Sequence, residues 1–268
     1  MKFRCYASVV ALVLAGGAAV LPVSNAASAA DIHVMISAGF HSVYSELAPA
    51  FEKASGNHLI TTRGPSMGDS PESIPTRLSR GEAADVVILD GGAADELAKR
   101  GLARADSKVE LARSAIGMVV RAGAAKPDIG SVDAFRNALL AAKSIGYSDS
   151  GSGTYLSTTL FAKLGIADQI ASKTRKVRGP PSGEPVAAVI ARGELEIGFQ
   201  QVSELIHTEG VTYVGPIPSE LQPSFSFAGE LTSKAEQPQA ATALIKFLAS
   251  PAAAPVLAKA GLMPPRQP

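Results

Sequence analysis

Four short segments of this chain concentrate hydroxyl groups and glycine, with a few charged side chains among them. They are Ser37-Ala38-Gly39-Phe40-His41-Ser42, the run from Arg63 to Ser70, the run Ser148-Asp149-Ser150-Gly151-Ser152-Gly153-Thr154-Tyr155, and the run from Arg178 to Glu184. Each stands where a strand pattern gives way to a helix pattern. The first N–H groups of a helix have no intrahelical acceptor, and with serine and threonine hydroxyls beside them they form a site for an anion. Glycine lets the backbone approach such a ligand closely. One loop of this kind is ordinary helix capping. Four at equivalent strand ends point to one small anion held between them.

Within these loops single residues carry distinct chemistry. Arg63 follows a strand end and can grip a carboxylate with a two-pronged fork; the competing reading is a surface charge beside an acid. Arg178 repeats the arrangement, although Arg175 and Lys176 also make it look like a charged surface turn. His41 can donate to an anion or act as a base near neutral pH, or simply cap a helix start. Tyr155 offers a hydroxyl or ordinary helix packing. Gln200 and Gln201 follow a strand directly, and one of them is expected to point into the cleft. No His, Asp and Glu group has metal-ligand spacing. Gly-x-Gly-x-x-Gly and the lysine-bearing phosphate loop are both absent. Neither a metal nor a cofactor is expected.

The elements that must position these loops alternate strand and helix. Strands are expected at 31–36, 58–62, 84–89, 115–120, 144–147, 174–177 and 196–199. Helices are expected at 41–54, 72–80, 93–100, 131–142, 154–164, 185–191, 238–248 and 252–260, from apolar residues at helical spacing and from Gly and Pro stops. The run from Ala84 to Leu89 is apolar nearly throughout, as a parallel strand covered on both faces must be. The chain is therefore α/β. Its halves echo each other. Arg63-Gly64-Pro65-Ser66-Met67-Gly68 is matched by Arg178-Gly179-Pro180-Pro181-Ser182-Gly183, and Leu78-Ser79-Arg80-Gly81-Glu82 by Ile190-Ala191-Arg192-Gly193-Glu194. Two echoes in the same order point to two lobes of one plan; the alternative is one larger domain with similar turns. The expected division is 31–112 with 226–268 as the first lobe and 113–225 as the second, with crossovers near 111–115 and 215–228.

Residues 1–30 read as a signal peptide: Lys2 and Arg4, the apolar run Val9 to Val20, then the small residues Ala26-Ala27-Ser28-Ala29-Ala30. The apolar run is short for a membrane span. Its removal takes away Cys5, the only cysteine, and shifts the formal charge from +1 to −1 as Lys2 and Arg4 leave. No disulfide or thiol chemistry is then expected, and nothing favours nucleic acid or an anionic membrane. The expected product is a monomer in the periplasm.

The stretches from Arg80 to Ile88 and from Gly183 to Glu194 resemble the periplasmic binding proteins of molybdate-type ABC importers, and the resemblance runs from about Asp31 onward. It implies a two-lobed periplasmic-binding-protein fold of type II, a hinge between lobes, each a mainly parallel sheet flanked by helices, and an ABC permease as partner. In that family neutral donors hold the oxyanion. The matching positions here fall at Ser37 to Gly39, at Ser66, at Ser152 to Thr154 and at Gly183-Glu184, while the family's tyrosine is replaced in the Phe199 to Gln201 region. Ser37-Ala38-Gly39-Phe40-His41 also departs from the family's first turn, and Arg63 adds a charge that molybdate does not need. A di- or tricarboxylate is therefore expected. The expected ligand contacts are Ser37, Gly39, Phe40, His41, Arg63, Ser66, Met67, Ser152, Gly153, Thr154, Tyr155, Arg178, Gly183, Glu184, Gln200 and Gln201. The loop Arg63 to Gly68 and the segment Gly198-Phe199-Gln200-Gln201 also resemble the periplasmic aconitate isomerases of pseudomonads, which interconvert trans- and cis-aconitate without a cofactor. For such an enzyme the candidate bases are His41 and Glu184. A solute receptor and an isomerase thus both stand, with a plain envelope protein as a third alternative.

Overall fold

Asp31 to Ile36 forms β1 because alternate residues are apolar: Ile32, Val34 and Ile36 enter one core and Met35 the other. The computed structural model describes residue 1 and residues 29–265. Apart from Met1, Ala29 and Ala30, the expected signal peptide, Cys5 included, lies outside the described residues, as do residues 266–268.

After β1 come α1 (Ala38–Ser55), β2 (His58–Arg63), α2 (Ile74–Ser79), β3 (Val86–Asp90), α3 (Gly91–Lys99) and β4 (Val109–Ser114). The chain then builds β5 (Ile116–Arg121), α4 (Val132–Ala141), β6 (Ile145–Ser148), α5 (Gly151–Tyr155), α6 (Phe161–Lys163), α7 (Ala167–Ile170), β7 (Thr174–Val177), α8 (Val186–Ala191), β8 (Ile197–Gln201) and β9 (Val211–Pro216). It returns with β10 (Phe225–Leu231), α9 (Pro238–Leu248) and α10 (Ala254–Lys259).

The strands form two five-stranded sheets of the same plan, β2-β1-β3-β10-β4 and β7-β6-β8-β5-β9. In each, three parallel strands are followed by one antiparallel strand, β10 or β5, and an edge strand. Helices cover both faces of each sheet, with separate apolar cores on the two sides. The two-lobed α/β architecture expected from the alternation and the echoes is therefore present. The paired echoes follow β2 and β7, which hold the same place in their sheets. Between the sheets the chain passes once through Ala115 and once through 217–224, where the Gln222 side chain holds the Ile116 N–H at 2.9 Å and donates to the Ile116 carbonyl at 2.8 Å.

Three strands, β4, β9 and β10, went unread in the sequence. β10 falls partly where a crossover was expected, because Gly229 and Glu230 break the apolar pattern of a central strand. Helix starts also moved. α1 begins at Ala38 and α5 at Gly151, each three residues ahead of its expected start, since the Gly- and Ser-rich loops are the first helical turns themselves. α5 continues through a π-turn at Leu156–Leu160 into α6.

Glu230 is fully buried on β10, and neither carboxylate oxygen has a hydrogen-bond partner among the described residues. Burial pushes its pKa up to about 7, against the pull of nearby Lys108 and with a small push from Asp95. An acid held protonated by the fold stabilises it fully below the unfolded pKa near 4.5, and loses that contribution as pH rises through 7. Glu230→Gln keeps the neutral shape at every pH. Relative to the parent, the variant is expected to gain on the order of 2 kcal/mol between pH 5 and pH 8, measured by denaturant unfolding at both values.

Candidate functional site

The carboxyl ends of β1, β2, β6 and β8, with the loop after β7, meet at one cleft between the sheets, the place where open α/β sheets bind ligands. Its walls include Ser37, Gly39, Arg63, Pro65 and Ser66 from the first sheet's loops. Ser148, Asp149, Ser150, Gly151, Gly179, Pro180, Gln200, Gln201 and Glu204 come from the second. The space is ≈ 500 Å³ with its open mouth included.

Helix capping explains why this cleft is rich in free donors. Away from it, Ser73 caps α2, accepting from the Thr76 N–H, and Ser131 caps α4, accepting from the Ala134 N–H at 3.1 Å. At the cleft, Ser37 and Ser150 occupy the N-cap positions of α1 and α5, yet neither side chain accepts from its helix. The Ser37 hydroxyl is buried with no partner, as is the Gln201 Oε1. Buried polar groups are nearly always satisfied, and these two, both on the cleft wall, have capacity to spare for a ligand. Ser66 accepts from the Asp90 N–H at 3.1 Å, which leaves its hydroxyl proton free. Arg63 is exposed at the rim, and its guanidinium makes no hydrogen bond or ion pair with the described residues. Gly39 has a packing reason: a Cβ there would stand 2.2 Å from the Phe227 ring.

Glu204, unread in the sequence, lies in the cleft on the short turn Val202–Glu204 that follows β8. Its Oε2 accepts from Gln200 Nε2 at 2.6 Å. The Gln200 orientation is fixed because its Oε1 accepts from the Val186 N–H at 3.1 Å. Burial pushes the Glu204 pKa up to about 7; the Gln200 bond and Arg63 pull it down, and Asp149 pushes it up. The signal was faint in sequence: a carboxylate four residues after Gln200, meeting it only because a tight turn follows the strand. Asp149 was quoted only as part of its loop; its Oδ1 accepts from the Gly179 N–H at 3.0 Å. Asp90, at the end of β3, spends Oδ1 on the Gly92 N–H and the Ala93 N–H, while its buried Oδ2 is unpartnered and faces Gly151 across the gap. Burial raises its pKa despite those bonds.

Of the expected contacts, Ser37, Gly39, Arg63, Ser66, Gln200 and Gln201 are brought together on the cleft wall. The others stand elsewhere. Phe40 is fully buried against Phe227. His41 is on α1 just outside the wall, near Ser45, its pKa lowered by burial and by Arg63. Glu184 is on the surface in a two-pronged pair with Arg192, at 2.6 Å to each oxygen, which holds its pKa down and spends it as a base. Arg178 donates to Glu72 Oε2 at 3.1 Å, and Ser182 donates to the same oxygen at 3.0 Å. These two contacts join the lobes at the rim and turn one nitrogen of the Arg178 guanidinium toward Glu72. Gly183 packs against the Arg178 carbonyl, Ser152 is buried beside Ser148, and Gly153 has the Ser148 carbonyl where a side chain would go. Thr154 is exposed, and Met67 faces Gly151 behind the wall. Tyr155 donates to the Leu221 carbonyl at 2.9 Å and stacks edge-on with Phe225. It belongs to the second lobe's packing.

Comparison with known proteins agrees with this geometry. A family model described as bacterial extracellular solute-binding protein matches residues 32–263. An aconitate isomerase from Pseudomonas sp. is 44% identical over 248 residues, covering 92% of this chain and 93% of that protein. The molybdate-binding protein ModA of Azotobacter vinelandii is 28% identical over 258 residues, 92% of this chain and 94% of that one. Among solved structures, the Azotobacter vinelandii periplasmic molybdate-binding protein superposes with a TM-score of 0.69 at 19% identity, covering 88% of this chain and 100% of the other. The fold is thus that of type II periplasmic binding proteins.

The reassignment of Tyr155 has a direct consequence. Tyr155→Phe removes one hydrogen bond and keeps the ring, so stability is expected to fall by about 1 kcal/mol in thermal unfolding. Anion binding measured by calorimetry on the same variant is expected to be unchanged.

Proposed function

The chain belongs to the family of bacterial extracellular solute-binding proteins, and from that premise we propose that it is a cofactor-free isomerase that closes on aconitate and interconverts its trans and cis forms. The observation that carries the reading is the donor set of the cleft. An uncommitted guanidinium, Arg63, stands beside the unspent hydroxyls of Ser37 and Ser66 and the uncapped starts of α1 and α5. Neutral donors suffice for a tetrahedral oxyanion; a tricarboxylate makes use of the added cation. The likeness to an aconitate isomerase over nearly the whole of both chains supports the same substrate. An allylic shift needs its developing charge held on the carboxylates, and these donors can hold it. The family assignment supports a periplasmic location.

A second reading, favoured by the neutral donors Ser37 and Ser66 and by the likeness to ModA, is a receptor that hands a small anion to an ABC permease. In both readings residues 31–112 with 226–268 move as one lobe and 113–225 as the other, turning at Ala115 and the 217–224 segment.

Three measurements test this. Incubation of the protein with trans-aconitate is expected to yield cis-aconitate, followed by chromatography; binding without conversion would leave the receptor. Arg63→Ala is expected to cost about 2–5 kcal/mol of aconitate binding, roughly thirtyfold to several thousandfold in Kd, with the melting temperature unchanged. Small-angle scattering is expected to show compaction on adding aconitate, because a cleft fed from two lobes traps a small anion only when closed.

A further inference from the structure

Resting on the isomerase reading, we propose that Glu204 is the group that carries the proton between the two carbons of the allylic system, and that Gln200 positions it. Glu204 stands on the cleft wall beside the donors assigned to the carboxylates. One oxygen, Oε2, is anchored by Gln200, whose amide cannot turn over without losing the Val186 N–H. The other oxygen, Oε1, has no partner among the described residues and is left for a ligand. The remaining acids near the cleft are less suited. Asp149, on the same wall, is held by the Gly179 N–H with no side chain among the described residues fixing its carboxyl, Asp90 caps α3 and is not part of the wall, and Glu184 is held on the surface by Arg192.

The step balances with one carboxyl group and no co-reactant. Glu204 takes a proton from the methylene carbon of trans-aconitate. The C–H electron pair forms a double bond to the central carbon, and the former double-bond pair moves to the far carbon, spread onto its carboxylate. Glu204 then returns the proton to that far carbon. The double bond has moved one position, nothing is oxidised, and the carboxyl group ends as it began. A group that serves first as base and then as acid works best with a pKa near the operating pH. Burial supplies that here, with a small push from Asp149, and is moderated by Arg63 from one lobe and Gln200 from the other.

The test uses the full-length protein with trans-aconitate. Glu204→Gln is close to the parent in shape and is expected to bind trans-aconitate within about threefold, by calorimetry, while kcat falls roughly a hundredfold or more. Proton exchange at the methylene carbon in heavy water, followed by NMR, is expected to vanish with it. Glu204→Asp, which keeps the carboxyl on a shorter arm, retains part of both and guards against a folding defect. Gln200→Leu removes the bond that lowers the Glu204 pKa, so the rise of kcat/KM with pH is expected to shift to higher pH in a variant that still binds. Turnover and exchange within a few fold of the parent in folded Glu204→Gln would overturn the assignment. A parent protein that binds aconitate but neither converts nor exchanges it sinks the isomerase reading first, and this assignment with it.

Discussion

Unspent hydrogen-bonding capacity at the cleft is the constraint around which the rest of the structure is arranged. Leaving a buried hydroxyl or amide oxygen without a partner costs about 1–3 kcal/mol. No described residue partners the Ser37 hydroxyl or the Gln201 Oε1, while Ser73 and Ser131, the same residue type as Ser37 and Ser150, cap their helices in the ordinary way. The fold keeps the uncapped starts of α1 and α5 turned toward one gap because the parallel strands of both sheets end there. Groups from both lobes therefore face the same gap.

Carboxyl groups in this chain behave according to what surrounds them. Glu184 and Glu194 lie in water against Arg192 and are held ionised. Glu230 is sealed inside the first lobe without a partner, and its raised pKa is a feature of folding. Glu204 is desolvated as well, but it has one anchored oxygen and one that opens on the cleft. Desolvation near an anion site is where acid–base chemistry at neutral pH becomes available.

The lobes meet through apolar contacts, Val202 and Ile206 lying close to Gly261, and through polar ones. Glu72 meets Arg178 and Ser182 at the rim, Ser203 donates to the Gly39 carbonyl at 2.7 Å, and His207 meets the Lys259 carbonyl at 2.8 Å. Exposed ion pairs contribute about 0–1 kcal/mol each. Gln222 holds the crossing segment against β5.

The sequence by itself determined the α/β plan and its duplication. Apolar runs of strand length, helical spacing and the Arg-Gly-Pro and Arg-Gly-Glu echoes are local patterns, and local patterns survive without knowledge of the neighbours. It also placed Ser37, Arg63, Ser66, Gln200 and Gln201 at strand ends, and in α/β sheets strand ends are where ligands go. Only the tertiary structure decided what each polar group has left to give. Arg178 and Arg63 sit in matching motifs, but Glu72 comes across from the other lobe to engage Arg178, and no described residue engages the Arg63 guanidinium. Glu184 was read as a candidate base and Glu204 was not, because only the fold sets Arg192 against the first and Gln200 with a buried wall against the second. β10 was missed because its central Glu230 is accommodated by burial as a neutral acid, which no local pattern announces. Hydrogen-bond partners and desolvation are properties of what the chain brings together from far apart, and they fix which donors and acids remain free.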